Sequence, residues 1–128
     1  CIRDRAEADA LAAARTLLDR GPQWVIAHSV GGNPGELVTL AVGRGETWRW
    51  TSPLLPVDVA GTGDVLMSLV VSFLLRGESM QQAISRAIAG THAALEATLD
   101  NGFEEFDVIA AAPAALAEGT RFRAERVA

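Results

Sequence analysis

A glycine-rich turn, Gly61-Thr62-Gly63-Asp64, stands directly before the most apolar stretch of the 128-residue chain. Residues 65–75 contain no glycine or proline and end at Arg76-Gly77, so the pattern predicts one buried helix over about 63–76. Glycines let the backbone turn sharply and approach a ligand, while unpaired N–H groups point outward from the partly positive start of a helix. The junction therefore predicts an anion-binding site.

Asp64 gives this turn a second property. Its carboxylate would lie within one or two residues of a bound phosphate, where negative charge weakens binding unless the carboxylate has a chemical task. We expect that task to be the acceptance of a proton. The alternative is a structural turn in which Asp64 caps the helix by accepting hydrogen bonds from nearby N–H groups. The apolar helix that follows favours the first interpretation.

The segment from Asp58 to Asp64 resembles the D-x-x-G-[TA]-G-D signature of the ribokinase-like kinases. Within that superfamily, the G-T-G-D form and the stretches at 74–77, 89–98 and 122–127 look most like pyridoxal kinases. The resemblance runs from about Ala6 to the end of the chain and covers only the C-terminal half of such a kinase. It implies an α/β chain that forms the C-terminal portion of a ribokinase-like three-layer α/β/α fold.

The resemblance also implies a reaction. An intact parent enzyme would transfer the γ-phosphoryl group of ATP to the 5′-hydroxyl of pyridoxal, giving pyridoxal 5′-phosphate in vitamin B6 salvage, with Mg²⁺ bridging the phosphates. Gly61, Thr62 and Gly63 would form the anion hole, and Asp64 would be the catalytic base that contacts the substrate hydroxyl. Thr62 would add a hydroxyl donor or serve only as a spacer. The alternatives are a hydroxymethylpyrimidine or sugar kinase, or a truncated non-catalytic α/β module.

Further ATP-binding residues follow from the same resemblance. The strand end at His28 and Ser29 would face the phosphates or ribose, unless these side chains only meet solvent. The loop Ser52-Pro53-Leu54-Leu55 would form a wall of the adenine site. The alternative is that its leucines only pack into the core. Asp58 would help to hold Mg²⁺ or a water, or would cap the loop. His92 is interpreted as structural.

Composition narrows the possible partners and compartments. Eleven basic and sixteen acidic residues give a net charge of −5 without a basic cluster, so neither nucleic acid nor an anionic membrane is expected as a partner. The longest apolar run, about a dozen residues, is too short to span a bilayer, and no signal sequence opens the chain. We expect a cytoplasmic protein. A single cysteine excludes an internal disulfide.

Periodicity and turn residues predict alternating elements. Helices are expected over about 6–19, 63–76, 79–100 and 105–117, and strands over 24–27, 36–42, 46–51 and 122–127, with 52–60 as a loop. The third helix should bury one stripe, formed by Ile84, Ala87, Ile88, Thr91, Leu95 and Leu99.

The start of the chain, Cys1-Ile2-Arg3-Asp4-Arg5, resembles the translation of a sequencing adapter. We expect residues 1–5 to be a scar, the alternative being a polar helix cap, and residues 6–128 to be the C-terminal half of a kinase domain. The substrate pocket of such a kinase comes from its N-terminal half. We therefore expect the chain alone to be inactive, its sheet to have an unpaired edge, and the intact enzyme to be a homodimer.

Overall fold

A computed structural model describes residues 7–102, 105–106, 108–117 and 119–127. The interpretation of residues 1–5 as a scar therefore lies outside the described part and stays a prediction. The chain divides into two compact units, one of Cys1–Leu54 with Arg123–Ala128 and one of Leu55–Phe122.

The first unit is an antiparallel sheet with one helix. Helix α1 spans Glu7–Leu18, and strands β1, β2, β3 and β4 span Trp24–Gly31, Glu36–Gly43, Thr47–Pro53 and Glu125–Arg126. The strand order is β1-β2-β3-β4, so β1 lies at one edge of the sheet, as expected. Helix α1 covers β1 and β2, and the buried core between them consists of Ala14, Leu18, Val30, Val38, Leu40 and Val42. An ion pair of 2.9 Å between Glu7 and Arg49 adds a link from α1 to β3.

Three strand predictions need correction. Strand β1 continues four residues beyond Ala27, because β2 supplies pairing partners as far as Gly31. Strand β3 includes Ser52 and Pro53, which were assigned to a loop, because they pair with Leu37 and Glu36 of β2. The closing strand is Glu125–Arg126 rather than 122–127, since the ladder with β3 consists of the pairs Trp48–Arg126 and Arg49–Glu125.

The second unit consists of helices α2, α3 and α4, which span Thr62–Leu75, Met80–Asp100 and Val108–Ala117. The start of α3 is fixed by a reciprocal capping box, in which Ser79 and Gln82 bond to each other's backbone N–H. Arg86 of α3 lies over the Phe73 ring of α2, 4.0 Å from its centre. The predicted helices are thus present, although α4 begins at Val108 instead of 105.

The prediction of a wholly buried helix after the glycine turn is wrong. Helix α2 buries one side, formed by Leu66, Leu69, Val70 and Phe73, against its neighbours. Met67, Val71 and Leu75 on the other side are 43%, 49% and 84% exposed. In α3, the predicted stripe is buried as far as Thr91, whereas Leu95 is half-buried and Leu99 is exposed.

Candidate phosphate-binding site

The turn before α2 contains the residues that were predicted to bind an anion. Gly61 is the N-cap residue and has a φ of 92°, in the left-handed region that favours glycine. The first helical hydrogen bond is donated by the Val65 N–H to the Gly61 carbonyl oxygen, at 3.1 Å. The four N–H groups from Gly61 to Asp64 therefore precede the helical hydrogen-bond ladder, at the partly positive end of the helix.

Gly63 leaves space at this turn. A Cβ atom added to it would meet nothing within 4 Å. Its φ does not require glycine, so the backbone geometry alone does not explain this residue. Thr62 beside it is half-buried.

Asp64 is the third residue of α2, and its side chain is exposed. The N-cap position belongs to Gly61, which makes no side-chain capping bond, so the interpretation of Asp64 as the N-cap is wrong. An acidic residue in the first turn is stabilised by the helix dipole. Asp64 is therefore an exposed acidic residue in the first turn of α2 and is not its N-cap.

His28 and Ser29 form a bulge in β1. Ala27 pairs with Leu40 and Val30 pairs with Val38, so both bulge residues oppose Thr39 alone. Ser29 has a φ of 58°, a left-handed conformation that costs energy outside glycine. Strained bulges of this kind occur next to functional sites, where they change the direction of a side chain.

The His28 ring is held by a hydrogen bond of 2.8 Å between its Nδ1 and the Thr39 hydroxyl. Burial lowers the pKa of His28 below its ordinary value of 6.5. The imidazole is therefore neutral at pH 7, with one ring nitrogen as a donor and the other as an acceptor.

The predicted adenine wall is only in part a loop. Ser52 is buried in β3, where it pairs with Leu37 next to the end of β1. Because β1 and β3 both run antiparallel to β2, the His28 bulge and Pro53 lie at the same end of the sheet. Leu54 follows with 39% exposure and donates its N–H to the Gly35 carbonyl oxygen at 2.8 Å.

The candidate residues belong to different units. The first unit contains His28, Ser29, Ser52, Pro53 and Leu54. The second contains Leu55, Asp58 and the four residues of the glycine turn. Asp58 is exposed and Leu55 is half-buried.

Sequence reasoning missed an apolar groove between the three helices of the second unit. It has a volume of about 170 Å³, and its walls include Val65, Leu69, Ala94 and Leu116. Val65 directly follows Asp64, so the groove lies beside the glycine turn. Since three helices form it together, no local sequence signal could have revealed it.

His92 lies in a packed cluster of the second unit. Its Nδ1 is 3.5 Å from the Glu96 carboxylate, and its ring meets Phe122 edge-on with 5.0 Å between the centres. The Arg121 guanidinium donates two hydrogen bonds to Glu96, of 2.8 and 3.0 Å, and this contact lowers the pKa of the Glu96 carboxyl group. These contacts tie the segment after α4 to α3, which agrees with a structural role for His92.

Residues 2–108 match the family model of phosphomethylpyrimidine kinase. The chain belongs to this family. A pyridoxal kinase of Rubrobacter xylanophilus is 36% identical over 131 residues, which cover 99% of the chain and 45% of that relative. A pyridoxal kinase of Deinococcus radiodurans is 35% identical, with 94% of the chain and 43% of the relative covered. The chain thus spans less than half the length of these relatives.

Solved structures confirm the predicted fold class. Pyridoxal kinase of Leishmania donovani in complex with ADP and pyridoxine superposes with a TM-score of 0.87 at 20% identity, covering 99% of the chain and 46% of that structure. A putative phosphomethylpyrimidine kinase of Bacteroides thetaiotaomicron superposes with a TM-score of 0.83 at 25% identity, covering 98% and 45%. The chain therefore has the α/β fold of the C-terminal part of a ribokinase-like kinase.

Neither a membrane span nor a metal cluster was found in the ranges that the structure describes. None of the helices there is long and apolar enough to cross a membrane. The same ranges contain no group of three or more His, Cys, Asp or Glu side chains that could hold a metal ion.

Proposed function

We propose that this chain is part of a kinase that transfers the γ-phosphoryl group of ATP to the 5′-hydroxyl of pyridoxal, producing pyridoxal 5′-phosphate. The observation that carries the proposal is the glycine turn, with four N–H groups at a helix start and an exposed Asp64 that does not cap it. The names of the relatives support the substrate, and the Leishmania donovani enzyme was solved with ADP and pyridoxine.

The turn supplies the two functions that phosphoryl transfer needs from a protein. Negative charge spreads over the oxygens of the transferring group, and preorganised N–H donors at a helix start stabilise this charge. The substrate hydroxyl oxygen forms a bond to the γ-phosphorus, the bond from phosphorus to the ADP oxygen breaks, and the hydroxyl proton passes to the Asp64 carboxylate. The Thr62 hydroxyl would add one donor to the phosphate.

His28 would contribute a hydrogen-bond donor to the bound nucleotide. With the proton on Nε2, the Thr39 hydroxyl donates to Nδ1, and the Nε2–H can donate to a phosphate oxygen. Ser29, whose backbone is turned out of the regular strand, would donate its hydroxyl beside it. The exposed side chain of Leu54, with Leu55 after it, would give the purine an apolar surface.

Mg²⁺ fits this donor set as an ion that arrives with ATP. Magnesium usually keeps several waters and binds through one or two carboxylates together with substrate phosphates, so it does not need a cluster of three protein ligands. Asp58, an exposed carboxylate shortly before the turn, would hold it or one of its waters. When bound, the ion neutralises charge on the phosphates.

A chimera tests the proposed reaction. It joins the N-terminal part of the Rubrobacter xylanophilus relative, which this chain does not match, to residues 6–128. We expect Mg²⁺- and ATP-dependent phosphorylation of pyridoxal, with a higher kcat/KM than for ribose or hydroxymethylpyrimidine. The chain alone should be inactive, because orientation of the acceptor carries much of the rate. A higher kcat/KM for another acceptor would move the assignment to a sister kinase.

Asp64→Asn in that chimera tests the catalytic role. The amide cannot accept the proton, so kcat should fall by roughly 10²–10⁴-fold while ATP affinity is kept. Asp100→Asn makes the same change at another exposed carboxylate of the second unit and should leave kcat unchanged. A kcat of Asp64→Asn within a few-fold of the parent would contradict the role of this residue as the base.

We further propose that the intact enzyme is a cytoplasmic homodimer, the dimer being what the family resemblance implies. Sedimentation of the chimera would measure its oligomeric state. A monomer at micromolar concentration would contradict this part of the proposal.

A further inference from the structure

Thr39 of β2 and His28 of β1 form a polar pair on one face of the sheet. Val38, Leu40 and Val42 belong to the core beneath α1, and successive side chains of a strand alternate between the two faces. Thr39 therefore lies on the face away from α1, where it is 1% exposed. The His28 ring reaches it there through the hydrogen bond of 2.8 Å between Nδ1 and the Thr39 hydroxyl.

The backbone on both sides of His28 is anchored. Ala27 and Val30 both pack into the core beneath α1, although residues three apart in a regular strand face opposite sides of the sheet. The bulge, with Ser29 in the left-handed conformation, supplies the extra residue that returns Val30 to the core. His28 is thus held opposite Thr39 by packing before and after it.

The donor in this hydrogen bond follows from where each proton can go. A hydroxyl donates one proton, and a neutral imidazole has one N–H and one acceptor nitrogen. Within the ranges that the structure describes, neither side chain makes a further hydrogen bond. A proton on Nδ1 would therefore leave the buried Thr39 hydroxyl without an acceptor, which is costly. The Thr39 hydroxyl is the donor, and Nδ1 accepts.

The other ring nitrogen of His28 is open to a ligand. Nε2 is not one of the buried side-chain atoms that lack a partner in the described residues, so it reaches the solvent. Because Nδ1 accepts from Thr39, Nε2 carries the single proton of the neutral ring. It is therefore a hydrogen-bond donor with a fixed direction.

We infer that Thr39 is a positioning residue, whose hydroxyl holds the His28 ring in one tautomer and one orientation and so presents Nε2–H to an oxygen of the nucleotide phosphates. The contact with nucleotide rests on the proposed function, whereas the direction of the hydrogen bond does not. Without the Thr39 hydroxyl, the ring could turn about its Cβ–Cγ bond and exchange tautomers. The donor would then face the ligand for only part of the time.

Nitrogen-15 NMR of the labelled chain tests the tautomer. The chain has two histidines, so the ring signals of His28 and His92 can be assigned separately. At pH 7.5 we expect the proton of His28 on Nε2 and an unprotonated Nδ1. The Nδ1 chemical shift should change in Thr39→Val, which lacks the donor, and change less in Thr39→Ser, which keeps it. A proton on Nδ1 in the parent chain overturns the inference.

Steady-state kinetics of the chimera test the positioning role. Valine is nearly the same shape as threonine, so Thr39→Val removes little besides the hydroxyl. Loss of one hydrogen bond should raise the KM for ATP roughly 2- to 12-fold and leave the KM for pyridoxal unchanged, and Thr39→Ser should restore the KM for ATP. Thr98→Val is the matched control. The Thr98 hydroxyl is also 1% exposed but donates to the Ala94 carbonyl oxygen of its own helix, so both KM values should stay at the parent level.

His28→Asn separates this inference from the proposed function. The asparagine amide can still bond to Thr39 but has no group at the position of Nε2, so the KM for ATP should rise at least as far as in Thr39→Val. A raised KM in His28→Asn with an unchanged KM in Thr39→Val overturns the inference and keeps the nucleotide contact. Unchanged KM values in both variants overturn it and also contradict the contact of His28 with ATP.

Two further outcomes are decided by the tautomer. If tryptophan fluorescence shows that Thr39→Val does not fold, the tautomer in the parent chain and the kinetics of Thr39→Ser and His28→Asn decide. A chimera that does not phosphorylate pyridoxal contradicts the proposed function. The position of the proton on His28 then still supports or overturns the role of Thr39.

Discussion

At Gly90, helix α3 lies so close to α4 that a side chain has no room. A Cβ atom placed on it would lie 2.3 Å from the carbonyl oxygen of Ala115 in α4 and 3.2 Å from Cδ1 of Leu69 in α2. The first of these atoms belongs to the backbone and cannot rotate away. Gly90→Ala therefore requires α3 and α4 to separate by roughly 1 Å to reach ordinary contact distance.

Two opposing contributions determine how much Gly90→Ala changes the free energy of unfolding. Overpacking of a well-packed core costs about 1–3 kcal/mol, whereas alanine favours a helix over glycine by about 0.8–1 kcal/mol. The free energy of unfolding should therefore fall by about 1 kcal/mol. Gly63→Ala is the matched control, because Gly63 is also helical but has nothing within 4 Å of an added Cβ. That variant should be as stable as the parent chain or more stable.

Urea unfolding followed by circular dichroism at 222 nm measures the difference, because three of the four helices belong to the second unit. The tryptophans, Trp24, Trp48 and Trp50, all lie in the first unit, so their fluorescence reports that unit separately. If Gly90→Ala is as stable as Gly63→Ala, the close approach of α3 and α4 is not tight in solution and the reasoning fails.

Three further predictions concern the candidate site. In the chimera, Gly63→Val should weaken ATP binding as well as turnover, because its side chain would occupy the space left for phosphate; unchanged ATP affinity in a titration would contradict this. Ser29→Val should lower the free energy of unfolding by about 1–2 kcal/mol, since a β-branched residue resists a φ of 58°, whereas Ser29→Gly should change it little in urea unfolding. Burial lowers the pKa of His28, so the unfolded chain binds the proton more readily, and the free energy of unfolding falls as the pH drops below about 6.5. His28→Gln should therefore make the urea midpoint depend less on pH between 7.5 and 5.5. The same pH dependence in the variant and the parent would contradict this.

Local signals were sufficient for the helices and for the backbone of the turn. Ser79 and Gln82 mark the start of α3, and Asn101-Gly102 marks its end, because capping depends on residues close in sequence. The left-handed Gly61 is likewise a local property. The sequence therefore predicted the glycine turn and the helix that follows it, whereas phosphate binding at the turn stays a prediction.

The strand ends could not be predicted in the same way. The polar pair His28-Ser29 breaks the apolar run of β1, and Pro53 is a residue that usually ends a strand. Pairing with β2 extends both strands, and a bulge absorbs the extra residue opposite Thr39. Because pairing is a long-range interaction, the local pattern in either strand does not contain it.

The exposed side of α2 shows a second limit of predicting burial from sequence. A helix that is apolar all round is expected to be buried all round, and the sequence pattern was interpreted in that way. In this chain α3 covers one side, while the stripe of Met67, Val71 and Leu75 is exposed.

The proposed chemistry depends on two features of α2. Its N-terminus carries four backbone N–H groups that precede the helical hydrogen-bond ladder, and the buried side of the helix is packed against α3, which would hold these donors in place. Asp64 lies in the first turn of the same helix, so a phosphate at the turn and an acceptor hydroxyl would meet at this carboxylate. Because one helix carries both the donors and the proposed base, the distance between them would be fixed without a separate hinge. The proposed reaction needs that alignment.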